Sequence, residues 1–495
     1  MNNRFDSSNI PQYAESRFAT NDEIVSSLST VNPADDTIEK GGMPIYQKSK
    51  NEICIDTQDN HSIIFGSTGS KKTRLFCIPT VELLARSGES MVITDPKSEI
   101  YERCSGTLAK RGYKNIVLNF RDPSSGNFWN PLNFPYLYWS SGKEGKSMEL
   151  ANDIISSIVF SPTNKTVDPY WEDTTAQLMT GIAYLLFMYV DKKDVNISSV
   201  TQMVSTGINA DGSGILNQIA SELPKNSIPF INLNSIFGLK AEKTLSCILS
   251  TFYTKMRLFS SQQDLMAMLS KSDFDIGKIG FEKTALFLIM PDEKTTINFL
   301  ISLFIKQLYQ SLIDAAQGAP GGALPIRVNF LLDEFANLPT INDMPAMISA
   351  SRSRNLRFYL LVQSMNSLVA KYEENAQTIM GNCANWVFLT SRELPLLNLF
   401  SDLCGIDEQG NRLLSTSQLQ RLSKEKGEAL ILCGRNYPFV TNLPDMDDYP
   451  FERLPAVPLP TNPTNNGEAF SIHEFVKAFA ENNFKNSGLP KSIVP

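Results

Sequence analysis

The segment Gly66-Ser67-Thr68-Gly69-Ser70-Lys71-Lys72-Thr73 directly follows an apolar run, Ile63-Ile64-Phe65, and leads into a helical pattern from Leu75 to Leu84 that persists despite Pro79. A strand, a Gly-rich turn and a helix N-terminus present a ring of backbone N–H groups and the positive end of a helix dipole, an arrangement that cradles phosphate. In this reading Lys72 reaches the β- and γ-phosphates of a nucleotide and the Thr73 hydroxyl ligates Mg2+. The nucleotide-binding loop comprises Gly66, Ser67, Thr68, Gly69, Ser70, Lys71, Lys72, Thr73 and Arg74.

One position departs from the pattern. G-x-x-x-x-G-K-[ST] has Gly where Lys71 stands, and that Gly supplies backbone freedom that a Cβ restricts. Lys71 either carries a strain of order 1–3 kcal/mol or marks a loop that binds nucleotide poorly. A lone Gly/Ser/Lys-rich turn would read as an ordinary surface turn, so the phosphate reading depends on what else the chain carries.

A second segment supplies it. Val328-Asn-Phe-Leu-Leu-Asp333-Glu334 is an apolar strand that ends in two carboxylates, and α/β folds place their chemistry at the carboxyl ends of parallel strands. There Asp333 can hold the metal shell and Glu334 can polarise an attacking water as a general base. Gln363 ends the next apolar run, Arg357 to Val362, where an amide senses a γ-phosphate, positions water or merely caps the strand. Arg352, Arg354 and Arg357 cluster just before it. Such guanidinium groups stabilise transition-state charge in a neighbouring subunit's site, touch nucleic-acid phosphates, or form a solvated basic loop.

Further apolar runs at Ser62–Phe65, Ser90–Thr94, Ile116–Asn119, Ala285–Met290, Trp386–Thr390 and Ala429–Cys433 resemble strands buried on both faces. Most are separated by helix-length segments, which predicts an α/β fold with a mostly parallel sheet. Residues 147–269 break the rhythm with helical periods and no convincing strand, and read as an all-helical insertion. The predicted organisation is an N-terminal arm over 1–45, a nucleotide-binding domain over 46–146 and 270–455, the insertion over 147–269, and a tail over 456–495 with one short helix, Ser471 to Asn482.

With 495 residues, the chain is long enough for two or three folding units at roughly 150 residues each. A net charge of -7 excludes a generally basic surface, so contact with DNA needs a local stripe of Lys and Arg. Seven widely spaced cysteines without a CxxC pair read as reduced, buried thiols of a cytosolic protein. With only His61 and His473 present, a His-based zinc site is disfavoured. The longest apolar run, around Gly181 to Val190, falls short of the ~20 residues that cross a bilayer.

These motifs resemble, in order and spacing over about residues 50 to 450, the type IV secretion coupling proteins, the conjugative DNA-transfer ATPases. Asp95-Pro-Lys97-Ser98-Glu99 is similar to the family's D-P-K-G-E segment, and Arg111-Gly-Tyr-Lys with Phe128-Trp-Asn-Pro-Leu132 to the stretch after it. Pro169-Tyr-Trp-Glu-Asp173 resembles the entry to its all-α domain. Leu332-Asp-Glu-Phe-Ala-Asn-Leu-Pro339, Ser351-Arg-Ser-Arg354, Gln363-Ser and Gly381-Asn-Cys383 follow in the family's order.

The resemblance implies a RecA-like P-loop NTPase domain with an inserted all-α domain, assembling as a homo-oligomeric ring, often a hexamer, at the cytoplasmic base of a bacterial secretion channel. It implies ATP and Mg2+ as cofactors, with Lys72 and Thr73 binding them, Asp333 and Glu334 as metal-shell and base residues, Gln363 monitoring the γ-phosphate and Arg352 as the finger acting in the neighbour's site. The implied partners are DNA bound without regard to sequence, a relaxase, and the channel ATPase. The family's usual N-terminal membrane anchor is not recognisable, so a separate membrane-anchor protein is expected to recruit the chain to the cytoplasmic membrane. Lys71 and Ser98 both stand where the family has Gly. Two rivals remain, a docking platform of the same family that does not hydrolyse nucleotide, and another RecA-like machine such as a chromosome translocase or virion-packaging ATPase.

Overall fold

The computed structural model describes residues 16–160, 169–209, 213–238, 242–291, 293, 296–461 and 470–487. Its contacts divide the chain into two units, one of residues 1–116, 276–292 and 309–458, the other of 117–275, 293–308 and 459–495.

The first unit holds the greater part of a sheet whose strands are β4 (His61–Phe65), β5 (Ser90–Asp95), β6 (Lys114–Asn119, of which only residues 114–116 belong to this unit), β7 (Thr284–Ile289), β8 (Val328–Leu332), β9 (Leu356–Val362), β10 (Cys383–Phe388), β11 (Glu428–Cys433) and β12 (Phe439–Asn442). Their order is β12-β11-β10-β4-β9-β8-β5-β7-β6. From β10 through β7 each paired neighbour is parallel, whereas β10–β11 and β11–β12 are antiparallel. The eight apolar runs read from the sequence all fall on these strands. They are continuous rather than alternating because β4, β5, β7, β8 and β9 are buried on both faces along their whole length. The unanticipated strand, β12, has four residues that alternate buried and exposed, as suits an edge.

Connections between the parallel strands run through helices, among them α2 (Ile78–Ser87), entered through a π-helical turn at Thr73–Cys77, and α3 (Glu99–Lys110). The four adjacent strands β4, β9, β8 and β5 therefore present their carboxyl ends, and whatever follows them, along one rim.

Part of the segment expected to be an arm is folded. Thr20 and Glu23 form a capping box on α1 (Asn21–Ser27), and β1 (Ser29–Val31) pairs with β3 (Glu52–Asp56), which also pairs with β2 (Met43–Ser49) in a small antiparallel sheet. Apolar Ile53 and Ile55 bury against Leu83, Tyr449 and Phe451, which is why a polar stretch is ordered there. Residues 1–15 lie outside the described residues.

In the second unit the described residues from 144 to 268 form helices and no strand, in accord with the helical periods of the sequence. They include α4 (Pro169–Tyr189) and α5 (Glu242–Ser260), joined by a buried ion pair, Lys255 Nζ to Glu172 at 2.6 Å. The tail's predicted helix is present over Ile472–Ser487 and is not free, because Phe475 and Phe479 pack on Tyr189. Six of the seven cysteines are buried, as expected, and Cys247 on α5 is exposed. Among the described residues no helix is long and apolar enough to cross a membrane.

Candidate nucleotide site

The Gly-rich segment leaves β4 as a tight loop anchored at its root. Gly66 N–H donates to the Val362 carbonyl at the end of β9, and Ser67 N–H to the Thr390 carbonyl beyond β10. A Cβ on Gly66 would lie 2.4 Å from the Ser70 hydroxyl, so glycine is what lets the loop close on itself. Gly69 turns with φ of +74°.

Lys71 occupies the same left-handed region at φ +67°. The backbone that the pattern assigns to glycine is thus retained by a residue with a Cβ, at a cost of about 1–2 kcal/mol. Ser98, the other departure from a patterned glycine, does the same at φ +62°. Both substitutions change the side chain and keep the turn.

Around this loop lies a cleft of about 310 Å³, lined by residues 67 to 74, Pro96, Lys97, Glu99, Asp333, Glu334, Asn337 and Gln363. Lys72 is buried on its wall, and its ammonium donates to the Gly66 carbonyl at 2.5 Å. Burial lowers its pKa, against the pull of Glu334 and Asp333. The Thr73 hydroxyl donates to Asp333 Oδ2 at 3.2 Å, so the two groups expected to share a metal ion already converge. Burial and the adjacent Glu334 push the Asp333 carboxyl up to about 6, although Lys72 opposes them. A cation at this spot would relieve the same unfavourable burial of negative charge. The Ser70 hydroxyl is buried there without a hydrogen-bond partner. The buried amine, the convergent hydroxyl and carboxylate, and that unsatisfied donor fit a triphosphate with its magnesium.

Glu334 follows Asp333 in a left-handed conformation, φ +55°, which turns its side chain into the cleft. Gln363 Nε2 donates to Glu334 Oε1, and Gln363 Oε1 accepts from the Thr68 hydroxyl at 3.2 Å. One amide therefore joins the phosphate loop to the candidate base. Asn337 donates to the other Glu334 oxygen at 3.1 Å. Asn337 was not singled out from the sequence, and an Asn three residues past an acidic pair carries little signal by itself. The turn holding it is clamped from α6 (Met365–Tyr372), where Tyr372 stacks on Phe335 and the Lys371 ammonium donates to the Ala336 and Leu338 carbonyls.

Beneath the cleft, β5 ends in Asp95, whose Oδ2 accepts from the Tyr101 N–H at 2.8 Å. Burial pushes its carboxyl up to about 7 against that hydrogen bond, with Asp333 and Glu99 adding to the rise. Its neighbours Lys97 and Glu99 reach the cleft wall.

The arginine cluster is elsewhere and is not one group. Arg352 precedes β9 while Gln363 follows it, so about 20 Å of strand separates Arg352 from the cleft of its own chain. Its guanidinium is exposed and donates to the Asn382 carbonyl at 2.8 Å. Arg354 donates to the Gly322 carbonyl. Arg357 is 1% exposed and tied to Glu89, Asn329 and the carbonyls of Gly41, Asp56 and Gln58, so it is structural rather than available to phosphates.

Arg74 lines the cleft, yet its guanidinium is engaged by Asp445 and Asp447 beyond β12, which raise its pKa. Nothing in the acidic stretch from Asp445 to Asp448 marks it in the sequence as part of the loop's surroundings.

Comparison with known proteins gives the family and the fold. Residues 9–427 match the family model described as Type IV secretory system Conjugative DNA transfer. The chain is 25% identical over 343 residues to conjugal transfer protein TraG of Escherichia coli, covering 65% of this chain and 51% of that protein. It is 25% identical over 195 residues to protein VirD4 of Rhizobium radiobacter, covering 34% of this chain and 28% of that one. The chain thus spans about half the length of the TraG proteins it matches. Among solved structures, plasmid coupling protein TrwB in complex with the ATP analogue ADPNP aligns with a TM-score of 0.58 at 14% identity, covering 87% of this chain and 93% of that one. TrwB in complex with ADP and Mg2+ aligns with a TM-score of 0.57 at 15% identity, over 87% and 93%. At that identity the likeness establishes the fold, a RecA-like P-loop α/β domain.

Proposed function

The chain belongs to the type IV secretory system conjugative DNA-transfer family, and from that premise we propose that it is an ATP-hydrolysing motor that feeds relaxase-bound DNA, or protein cargo, to a secretion channel. The observation that carries the proposal is the meeting of Lys72 and Thr73 with Asp333, Glu334 and Gln363 in one cleft, delivered by adjacent parallel strands.

In this reading the loop N–H groups and Lys72 hold the phosphates of ATP, while Thr73 and Asp333 hold Mg2+. The metal supplies charge neutralisation to the phosphate oxygens. Glu334, oriented by Gln363 and Asn337, orients the attacking water and accepts its proton. Gln363 touches both the loop and Glu334, so a change at the phosphates reaches the end of β9 through one side chain.

Arg352 lies far from its own cleft and exposes its guanidinium, which supports a role in a neighbouring subunit's site and hence a homo-oligomeric ring. DNA, contacted without sequence readout, the relaxase and the channel ATPase are the partners this function calls for.

The strained Lys71 backbone favours one rival, a docking platform that does not hydrolyse nucleotide. A DNA-stimulated ATPase assay on the unsubstituted chain, Lys72→Ala and Lys71→Gly separates the two. Turnover in the unsubstituted chain that disappears in Lys72→Ala supports the motor. Turnover that arises only in Lys71→Gly supports the platform.

A further inference from the structure

Lys71 and Arg74 lie on opposite sides of Lys72 and Thr73, and the same carboxylate holds both. Lys71 Nζ is 3.4 Å from Asp445 Oδ2, and Arg74 Nε donates to that oxygen at 3.0 Å while its Nη2 donates to Asp445 Oδ1. Arg74 Nη2 also reaches Asp447 at 2.7 Å, and Lys71 Nζ lies 3.3 Å from Glu425 Oε2. These contacts are unequal. The Glu425 side chain is 72% exposed, so water and salt screen its pair, whereas Asp445 is 18% exposed and is gripped by a guanidinium fork as well as the ammonium.

The backbone explains why such a grip is needed. A residue with a Cβ at φ +67° persists only where its surroundings over-determine it. The Lys71 carbonyl accepts from Leu75 N–H at 2.8 Å, so relaxing the turn at 71 would disturb the first helical turn and the N–H groups of Lys72 and Thr73. Asp445 fixes the side chains at both ends of that span.

We propose that Asp445 is a positioning residue for the phosphate loop, acting through Lys71 and Arg74 to hold the left-handed turn that a glycine at 71 would hold alone. The proposal rests on the reading of this loop as a nucleotide site. It ties nucleotide affinity to the segment after β12, which no part of the phosphate-loop pattern includes.

The test uses the full chain with Asp445→Asn, Asp445→Glu, Lys71→Gly and the double variant Lys71→Gly/Asp445→Asn, each checked for native circular dichroism. MgATP is the probe, with Kd from calorimetry and kcat and KM from turnover. Asp445→Asn should raise Kd and KM about fivefold, the equivalent of removing restraint on one strained residue, and leave kcat within about twofold. Asp445→Glu should restore at least half of the loss. In the Lys71→Gly background the Asp445→Asn effect should shrink by at least about half, because glycine holds the turn unaided.

An Asp445→Asn effect of equal size in both backgrounds, an unchanged Kd, or a fall confined to kcat overturns the proposal. If the unsubstituted chain binds no MgATP, the nucleotide reading fails separately, and thermal unfolding of the unsubstituted chain, Lys71→Gly, Asp445→Asn and the double variant then decides the tether. Non-additive shifts for Lys71→Gly and Asp445→Asn support it, and additive shifts overturn it.

Discussion

The Thr73 hydroxyl donates to the Asp333 carboxylate at 3.2 Å across 260 residues of sequence. One group follows β4 and the other β8, and β9 lies between those strands, so the pair meets only because three parallel strands end at the same rim. Everything proposed for the cleft depends on that convergence.

Asp333 and Glu334 are adjacent yet face different tasks, and substitution should separate them. Asp333→Asn removes the charge paired with Thr73 and should weaken MgATP binding at least about tenfold in calorimetry. Glu334→Gln keeps an acceptor oxygen for one of the two amide donors, Gln363 Nε2 or Asn337 Nδ2, and cannot take a proton. MgATP affinity should stay within about threefold while turnover falls by about 10²–10⁴. Equal losses of binding in both variants would contradict the division of roles.

Ser98 offers a clean measure of the left-handed strain. It precedes α3 at φ +62°, and its side chain makes no capping hydrogen bond. Ser98→Gly removes about 1–2 kcal/mol of strain and adds unfolded-state freedom of about 0.4–1 kcal/mol, so a net gain in stability follows. Scanning calorimetry should show a midpoint raised by about 1–2 °C.

Arg352 tests the ring. Arg352→Ala should leave MgATP affinity unchanged in the isolated chain, since its guanidinium is remote from its own cleft. Mixing Arg352→Ala with Lys72→Ala, each inactive alone, should recover part of the turnover, because some interfaces then pair an intact loop with an intact Arg352. Absence of recovery in a demonstrably mixed assembly argues for action within one chain or none.

His61 connects the arginine turn to β4 and should report on acid stability. Its Nδ1 accepts from the Phe358 N–H at 3.1 Å and its Nε2 bonds the Ile348 carbonyl at 2.9 Å, an arrangement that needs the neutral ring. Burial, with Arg352 nearby, lowers its pKa to about 4. A folded pKa below the unfolded value of about 6.5 means that its contribution is present above 6.5 and is lost as pH falls toward 4. Over that window roughly 3 kcal/mol of stability should disappear from this group. His61→Gln should remove this group's share of the pH dependence of unfolding between 6.5 and 5, while the raised carboxyls of Asp333 and Asp95 contribute alike to both proteins.

The sheet was largely legible because its strands are buried on both faces and so appear as unbroken apolar runs. The small sheet of β1, β2 and β3 escaped notice since its residues mix polar and apolar positions over three to seven residues, and its stability comes from Leu83, Tyr449 and Phe451 far along the chain. Arg357 illustrates the opposite error. Its place beside Arg352 and Arg354 suggested a basic cluster, yet strand β9 carries it under the sheet to Glu89.

By itself the sequence determined the α/β alternation, the Gly-rich turn between a strand and a helix, the acidic pair ending a strand and the run of helices after residue 144, because each is written in local spacing. Only the tertiary structure decided that Lys71 keeps a glycine's backbone, that Gln363 bridges Thr68 to Glu334, and that Asp445 grips the loop. Those facts depend on contacts between residues hundreds of positions apart. Strand order sets such contacts, and no window along the chain encodes it.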